Sequence, residues 1–155
     1  MGGLRERKFV DARTYFVHAE MLQDKAGNAR LALVTHYRYA GDQTITSIVD
    51  LTARRVMDVR VTAHAGAPLS REEFDEARQL ALADPAVVQA LGANRDRVVV
   101  EPLLLRAPEG DPMFGHRVVR LLFRVERDYL SAPVVHVDLT DRKVMIEPPR
   151  RGEHM

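Results

Sequence analysis

Val49-Asp50-Leu51-Thr52-Ala53-Arg54-Arg55-Val56-Met57 returns 88 positions later (50 to 138) as Val137-Asp138-Leu139-Thr140-Asp141-Arg142-Lys143-Val144-Met145. Both copies run into Asp-Leu-Thr and leave through basic residues into Val-Met. An aspartate at the head of a tight turn bonds backbone amides about two residues on, so each copy predicts a hairpin corner. A phrase repeated at that distance predicts two related hairpins. The recurrence of Asp50 and Asp138 is therefore read as turn chemistry and not as a pair of catalytic carboxylates.

Upstream of the first corner, Thr14 to Met21 reads as a strand that turns at Asp24-Lys25-Ala26-Gly27-Asn28. Arg30 to Tyr39 alternates, with Leu31, Leu33 and Tyr37 on one side and Ala32, His36 and Arg38 on the other. Ala40-Gly41-Asp42-Gln43 turns it onto Thr44 to Leu51, and Val56 to Val61 completes a four-stranded antiparallel meander. Ser70-Arg71-Glu72-Glu73 is a capping box, in which Glu73 reaches back toward the serine amide. Phe74, Ala77, Leu80 and Ala81 follow at helical spacing. Asp84-Pro85 caps and starts a second short helix whose Val87, Val88 and Leu91 face inward, with Gly92 as its stop.

Val98 to Leu105 is a strand, ended by the breaker-rich loop Ala107-Pro108-Glu109-Gly110-Asp111-Pro112. Arg117 to Glu126 alternates, burying Val119, Leu121, Phe123 and Val125 and turning Val118, Arg120, Leu122 and Arg124 the other way. Val134 to Leu139 and Val144 to Glu147 finish a second meander. The fold class is α+β: antiparallel β-meanders with a capped helix pair between them. The expected organisation is a first meander over 1–66, the helix pair with the second meander over 67–148, and a flexible tail over 149–155.

Composition excludes several functions. The chain has 155 residues, enough for one domain or two small ones. Its 23 basic and 22 acidic residues nearly cancel, which argues against a nucleic-acid partner. Without cysteine there is no disulfide, thiolate metal site or thiol nucleophile. No apolar run reaches the roughly 18 residues of a membrane span. Met1 to Lys8 lacks the apolar core of an export signal, so a cytoplasmic location is expected. Phosphate loops, dinucleotide fingerprints and serine-hydrolase elbows are absent. The six histidines show no i, i+2 or i, i+4 pair, so neither a metal site nor a cofactor is expected.

From about Arg30 to Pro148 the order of these phrases resembles the small N-terminal domains of copper amine oxidases. The resemblance is carried by Ile48-Val49-Asp50-Leu51-Thr52, Glu72-Glu73-Phe74-Asp75-Glu76-Ala77 and Ala83-Asp84-Pro85. Arg117-Val118-Val119-Arg120-Leu121-Leu122 and Tyr129-Leu130-Ser131-Ala132-Pro133 continue it. It implies two cystatin-like halves and a non-catalytic accessory or interaction module. The oxidase machinery is missing: none of Tyr15, Tyr37, Tyr39 and Tyr129 follows an asparagine, and no His-x-His pair exists. A periplasmic regulatory domain of the PepSY type shares the strand-Asp-turn-strand phrase and is a further alternative.

Too few residues precede Thr14 for a leading helix, so one sheet face is expected to lie uncovered. That favours a homodimer or a larger protein partner. The rival reading is a stand-alone small enzyme or small-molecule binder with a pocket on a sheet face. His36, Tyr37, Arg38, Arg120, Arg124 and His136 would line it, with the two histidines on the less apolar side and Arg120 and Arg124 joining them if the meanders share one sheet. Charged and imidazole groups there could hold an anion or supply acid–base chemistry. Met113, Phe114 and His116, in the loop from Gly110, are candidates for a partner anchor or a lid.

Overall fold

Alternating apolar residues in the first part of the chain form four antiparallel strands: β1 (Thr14–Leu22), β2 (Leu31–Arg38), β3 (Gln43–Asp50) and β4 (Arg55–Ala63). The computed structural model describes residues 13–22 and 30–147; the expected turn at 24–28, the leading residues and the tail at 149–155 lie outside these. The strands pair in sequence order, a simple meander. The chain divides into two units, Met1–Arg71 and Glu72–Met155.

In the first unit, register decides which residues share a face. Ala32 pairs with Val49, Val34 with Ser47 and His36 with Ile45. Ala32 and Val34 are buried, with Val49 and Val56 packed against them. This corrects the expectation that His36 lies on the less apolar side. It shares its face with Ala32, Val34, Ile45 and Val49, is itself buried, and meets the Phe16 ring edge-on. The alternation of β2 by itself does not reveal that Val34 and the apolar β3 partners Ile45 and Val49 lie on this face. The opposite face carries an edge-to-face aromatic chain, Tyr15 to Tyr39 to Tyr37, with the Arg13 guanidinium over the Tyr39 ring. Such pairs add about 0.5–1.5 kcal/mol beyond area burial.

The second unit opens with α1 (Arg71–Ala83) and α2 (Pro85–Leu91). Asp84 Oδ1 accepts from the amides of Ala86 (2.9 Å) and Val87 (3.4 Å), the cap expected ahead of a first-turn proline. Gly92 has φ 56°, and the chain runs on into a 3₁₀ turn, Gly92–Asp96, that the sequence reading did not foresee. The strands are β5 (Val99–Leu105), β6 (Val118–Val125), the two-residue β7 (Asp128–Tyr129), β8 (Val135–Asp138) and β9 (Lys143–Ile146). Their order is β5-β6-β8-β9, with β7 paired to β6. Val119, Leu121 and Phe123 are fully buried, as the alternation of β6 predicts, whereas Val125 is only half-buried; Val135 and Val137 of β8 are fully buried as well. Among the described residues, two antiparallel sheets and two α-helices make an α+β fold.

The repeated corners are built alike. Asp50 Oδ1 accepts from the amides of Thr52 and Ala53, both at 2.9 Å. Asp138 Oδ1 accepts from those of Thr140 (3.0 Å) and Asp141 (3.3 Å). The fourth loop residue is left-handed in each, Arg54 with φ 55° and Arg142 with φ 53°. Four loop residues then separate the paired ends, Asp50 with Arg55 and Asp138 with Lys143.

Candidate functional site

The six sheet candidates fall on two separate sheets, so the meanders do not share one. His36, Tyr37 and Arg38 belong to β2, where consecutive residues point to opposite faces. Tyr37 is fully buried and its hydroxyl donates to Asp42 Oδ1 at 2.6 Å. Asp42 Oδ2 lies 2.9 Å from His64 Nδ1. Arg38 donates to the Gln43 side chain. The Tyr37–Asp42–His64 chain went unnoticed in the sequence because Asp42 and His64 stand 22 positions apart. The β3–β4 register brings them together, since Gln43 pairs with Ala63.

Arg120, Arg124 and His136 do come together on one face of the second sheet. The register places them in cross-strand rows. Val99, Arg124 and Tyr129 form one; Leu103, Arg120, His136 and Met145 form another. Glu101 and Leu122 lie between. Arg124 Nε donates diagonally to Glu101 Oε1 at 3.1 Å. Val99 (44% exposed), Leu103 (47%) and Tyr129 (58%) leave this face substantially apolar and open.

Two groups on that face have shifted acidities. A hydrogen bond from Tyr129, with the Arg124 bond next, holds the Glu101 carboxyl below its ordinary range. The same bond to Glu101, reinforced by its negative charge, pushes the Tyr129 phenol up. A general acid or base works best with a pKa near the ambient pH. Here the carboxyl and the phenol are driven away from neutrality in opposite directions. The trio is a fixed set of complementary charges and donors. Neither Glu101 nor Tyr129 was singled out in the sequence, since the register that joins them to Arg124 has no local signature.

The loop candidates divide. Asp111 organises a turn, its Oδ1 accepting from the Met113 amide at 2.8 Å and its carbonyl from the Phe114 amide at 2.9 Å. Phe114 is exposed and Met113 half-buried. His116 is turned toward the second corner, its Nδ1 2.7 Å from Asp138 Oδ2 and 3.8 Å from Asp141 Oδ2. It belongs structurally to that corner, a relationship invisible across 22 positions of sequence.

No helix among the described residues is long and apolar enough to cross a membrane. No family model matches the chain, and no curated protein matches it.

Proposed function

We propose that this chain is a non-catalytic interaction module, with two cystatin-like halves similar to the small N-terminal domains of copper amine oxidases. It acts by docking the β5–β6 face of the second unit against a protein partner, most simply a second copy of itself. The observation that carries this reading is the exposure of Val99, Leu103 and Tyr129 on one face, among Arg120, Arg124 and Glu101. Aliphatic area ringed by arginine and tyrosine is the composition of protein interfaces, where Tyr and Arg supply many of the strongest contacts. Pro102 sits in the edge strand β5, where its missing N–H discourages strand addition. A partner would therefore use the face in preference to the edge.

The test is sedimentation velocity of the full chain over a wide concentration range, beside Leu103→Glu. Self-association weakened by a charge at position 103 supports the reading. A wild type that stays monomeric at the highest concentration removes the second copy as partner. Protection of β5 in hydrogen exchange, measured with and without association, reports whether the face is the one used.

A further inference from the structure

The second repeated corner carries donor atoms that the turn itself does not need. Asp138 closes the turn with Oδ1 alone, by the two amide bonds that Asp50 also makes. The first corner therefore serves as an internal reference. It folds with Ala53 in the place that Asp141 takes in the second. Asp138 Oδ2 and the Asp141 carboxylate are extra, and His116 points its Nδ1 at both.

We propose that His116, Asp138 and Asp141 bind a divalent transition cation of the zinc class, through one imidazole nitrogen and two carboxylate oxygens. One donor atom from each side chain lies within 4.8 Å of the other two. Metal–nitrogen and metal–oxygen bonds of about 2.0–2.2 Å place donors around one ion roughly 3 to 3.5 Å apart. The distances of 2.7 Å and 3.8 Å from His116 Nδ1 straddle that range, so small side-chain adjustments suffice. An imidazole beside two carboxylates suits zinc, iron or manganese better than calcium or magnesium, which take all-oxygen sets; no thiolate is present to select a softer ion.

The donors are held before any ion arrives. Asp138 is only 2% exposed and is fixed by its two amide bonds. The His116 amide donates to the Met113 carbonyl at 3.0 Å. Its neighbour Arg117 donates to Thr140 Oγ1 at 2.9 Å and accepts from the Leu139 amide at 2.8 Å. Loop and corner are thereby tied on both sides of the donor set. The outer side is open, with the Asp141 side chain 61% and the His116 side chain 28% exposed, so a hydrated ion can approach and keep water in its remaining positions. The spacing rules that excluded a metal site in the sequence see only local pairs, and this set spans residues 116 to 141.

The experiment is calorimetric titration of the full chain with zinc chloride, repeated with cobalt(II) to read the visible bands of a nitrogen–oxygen site. Asp141→Asn removes one donor while keeping the backbone amide that the turn uses; His116→Gln removes the imidazole. Circular dichroism and the metal-free unfolding midpoint check that each variant is folded. The expected result is a single saturable site, weakened at least about tenfold in Asp141→Asn, since even outer-shell changes around metals cost on the order of 10–100-fold. His116→Gln should abolish it, and His64→Gln should leave it unchanged. No binding by wild type, or equal binding by folded Asp141→Asn and His116→Gln, overturns the proposal.

Discussion

Glu73 and Arg117, 44 positions apart, form a two-armed ion pair with both side chains withdrawn from water, 0% and 3% exposed. Arg117 Nε donates to Oε2 at 3.1 Å and Nη2 to Oε1 at 2.8 Å. The pair joins the first turn of α1 to the residue that leads into β6. Glu73 shares its helix stripe with Ala77 and Ala81, also fully buried, so small neighbours flank the carboxylate.

Breaking that pair on one side should be far costlier than removing both partners. Glu73→Leu strands a guanidinium in a dry site, a loss of about 3–5 kcal/mol, whereas Glu73→Leu with Arg117→Met should recover most of it. Urea unfolding of the three proteins measures this. A single variant within about 1 kcal/mol of wild type would show that Arg117 finds water or another acceptor.

The two corners predict a matched series. Asp50→Ala and Asp138→Ala should each destabilise by about 1–3 kcal/mol, the cost of unsatisfied amides and of bonds to a charged acceptor, with Asp138 the worse because it is buried. The asparagine variants keep the acceptor oxygen, so Asp50→Asn should lie close to wild type. If Asp50→Asn proves as damaging as Asp50→Ala, charge and not geometry holds the turn.

Arg54 and Arg142 both adopt positive φ, which glycine takes without steric cost. Arg54→Gly should therefore stabilise the protein, by up to about 1 kcal/mol after the entropy of glycine in the unfolded chain is set against it. Arg142→Gly should gain less, because Arg142 Nε also donates to Glu76 Oε1 at 2.8 Å. Thermal unfolding midpoints of the two variants, compared directly, decide the order.

Titration reports the Glu101–Tyr129–Arg124 network. Glu101→Gln should bring the Tyr129 phenol back down toward its ordinary value of 10.0, followed by tyrosinate absorbance. Tyr129→Phe should raise the Glu101 carboxyl toward 4.5, followed by carboxyl NMR shifts. The depressed Glu101 adds stability above 4.5 that is lost as the pH falls through its folded value. The raised Tyr129 adds stability below 10.0 that is lost as the pH rises through its folded value. Both groups are exposed, so solvent screening keeps these contributions small. Unchanged titration of Tyr129 in Glu101→Gln would dissolve the network.

Much of the fold was legible because its signals are local. The alternation of β6 predicts an inward set of which Val119, Leu121 and Phe123 are fully buried, and Asp84-Pro85 predicts a helix start at which the Asp84 carboxylate accepts from two backbone amides. The Asp-Leu-Thr phrase gave both corners for the same reason: an aspartate bonds amides two and three residues away, within reach of its own side chain. His36 shares its face with Ala32 and Arg38 as the alternation predicts, but the apolar character of that face is not legible, because one strand's pattern says nothing of the partners across the ladder. The sequence around Glu73 signals a capping box, whereas its ion pair with Arg117, 44 residues on, depends on the packing of α1 against the start of β6.

What the amino-acid order determined alone was the menu of elements, since hydrogen bonds and side-chain period within a few residues of one another settle helix, strand and turn. What only the tertiary structure decided was which charged groups meet. The Arg124–Glu101–Tyr129 trio, the Tyr37–Asp42–His64 chain and the His116–Asp138–Asp141 cluster each depend on strand register or loop return. A shift of one residue in pairing would turn the strand members of these sets, such as Arg124, Glu101 and Tyr129, to the opposite face.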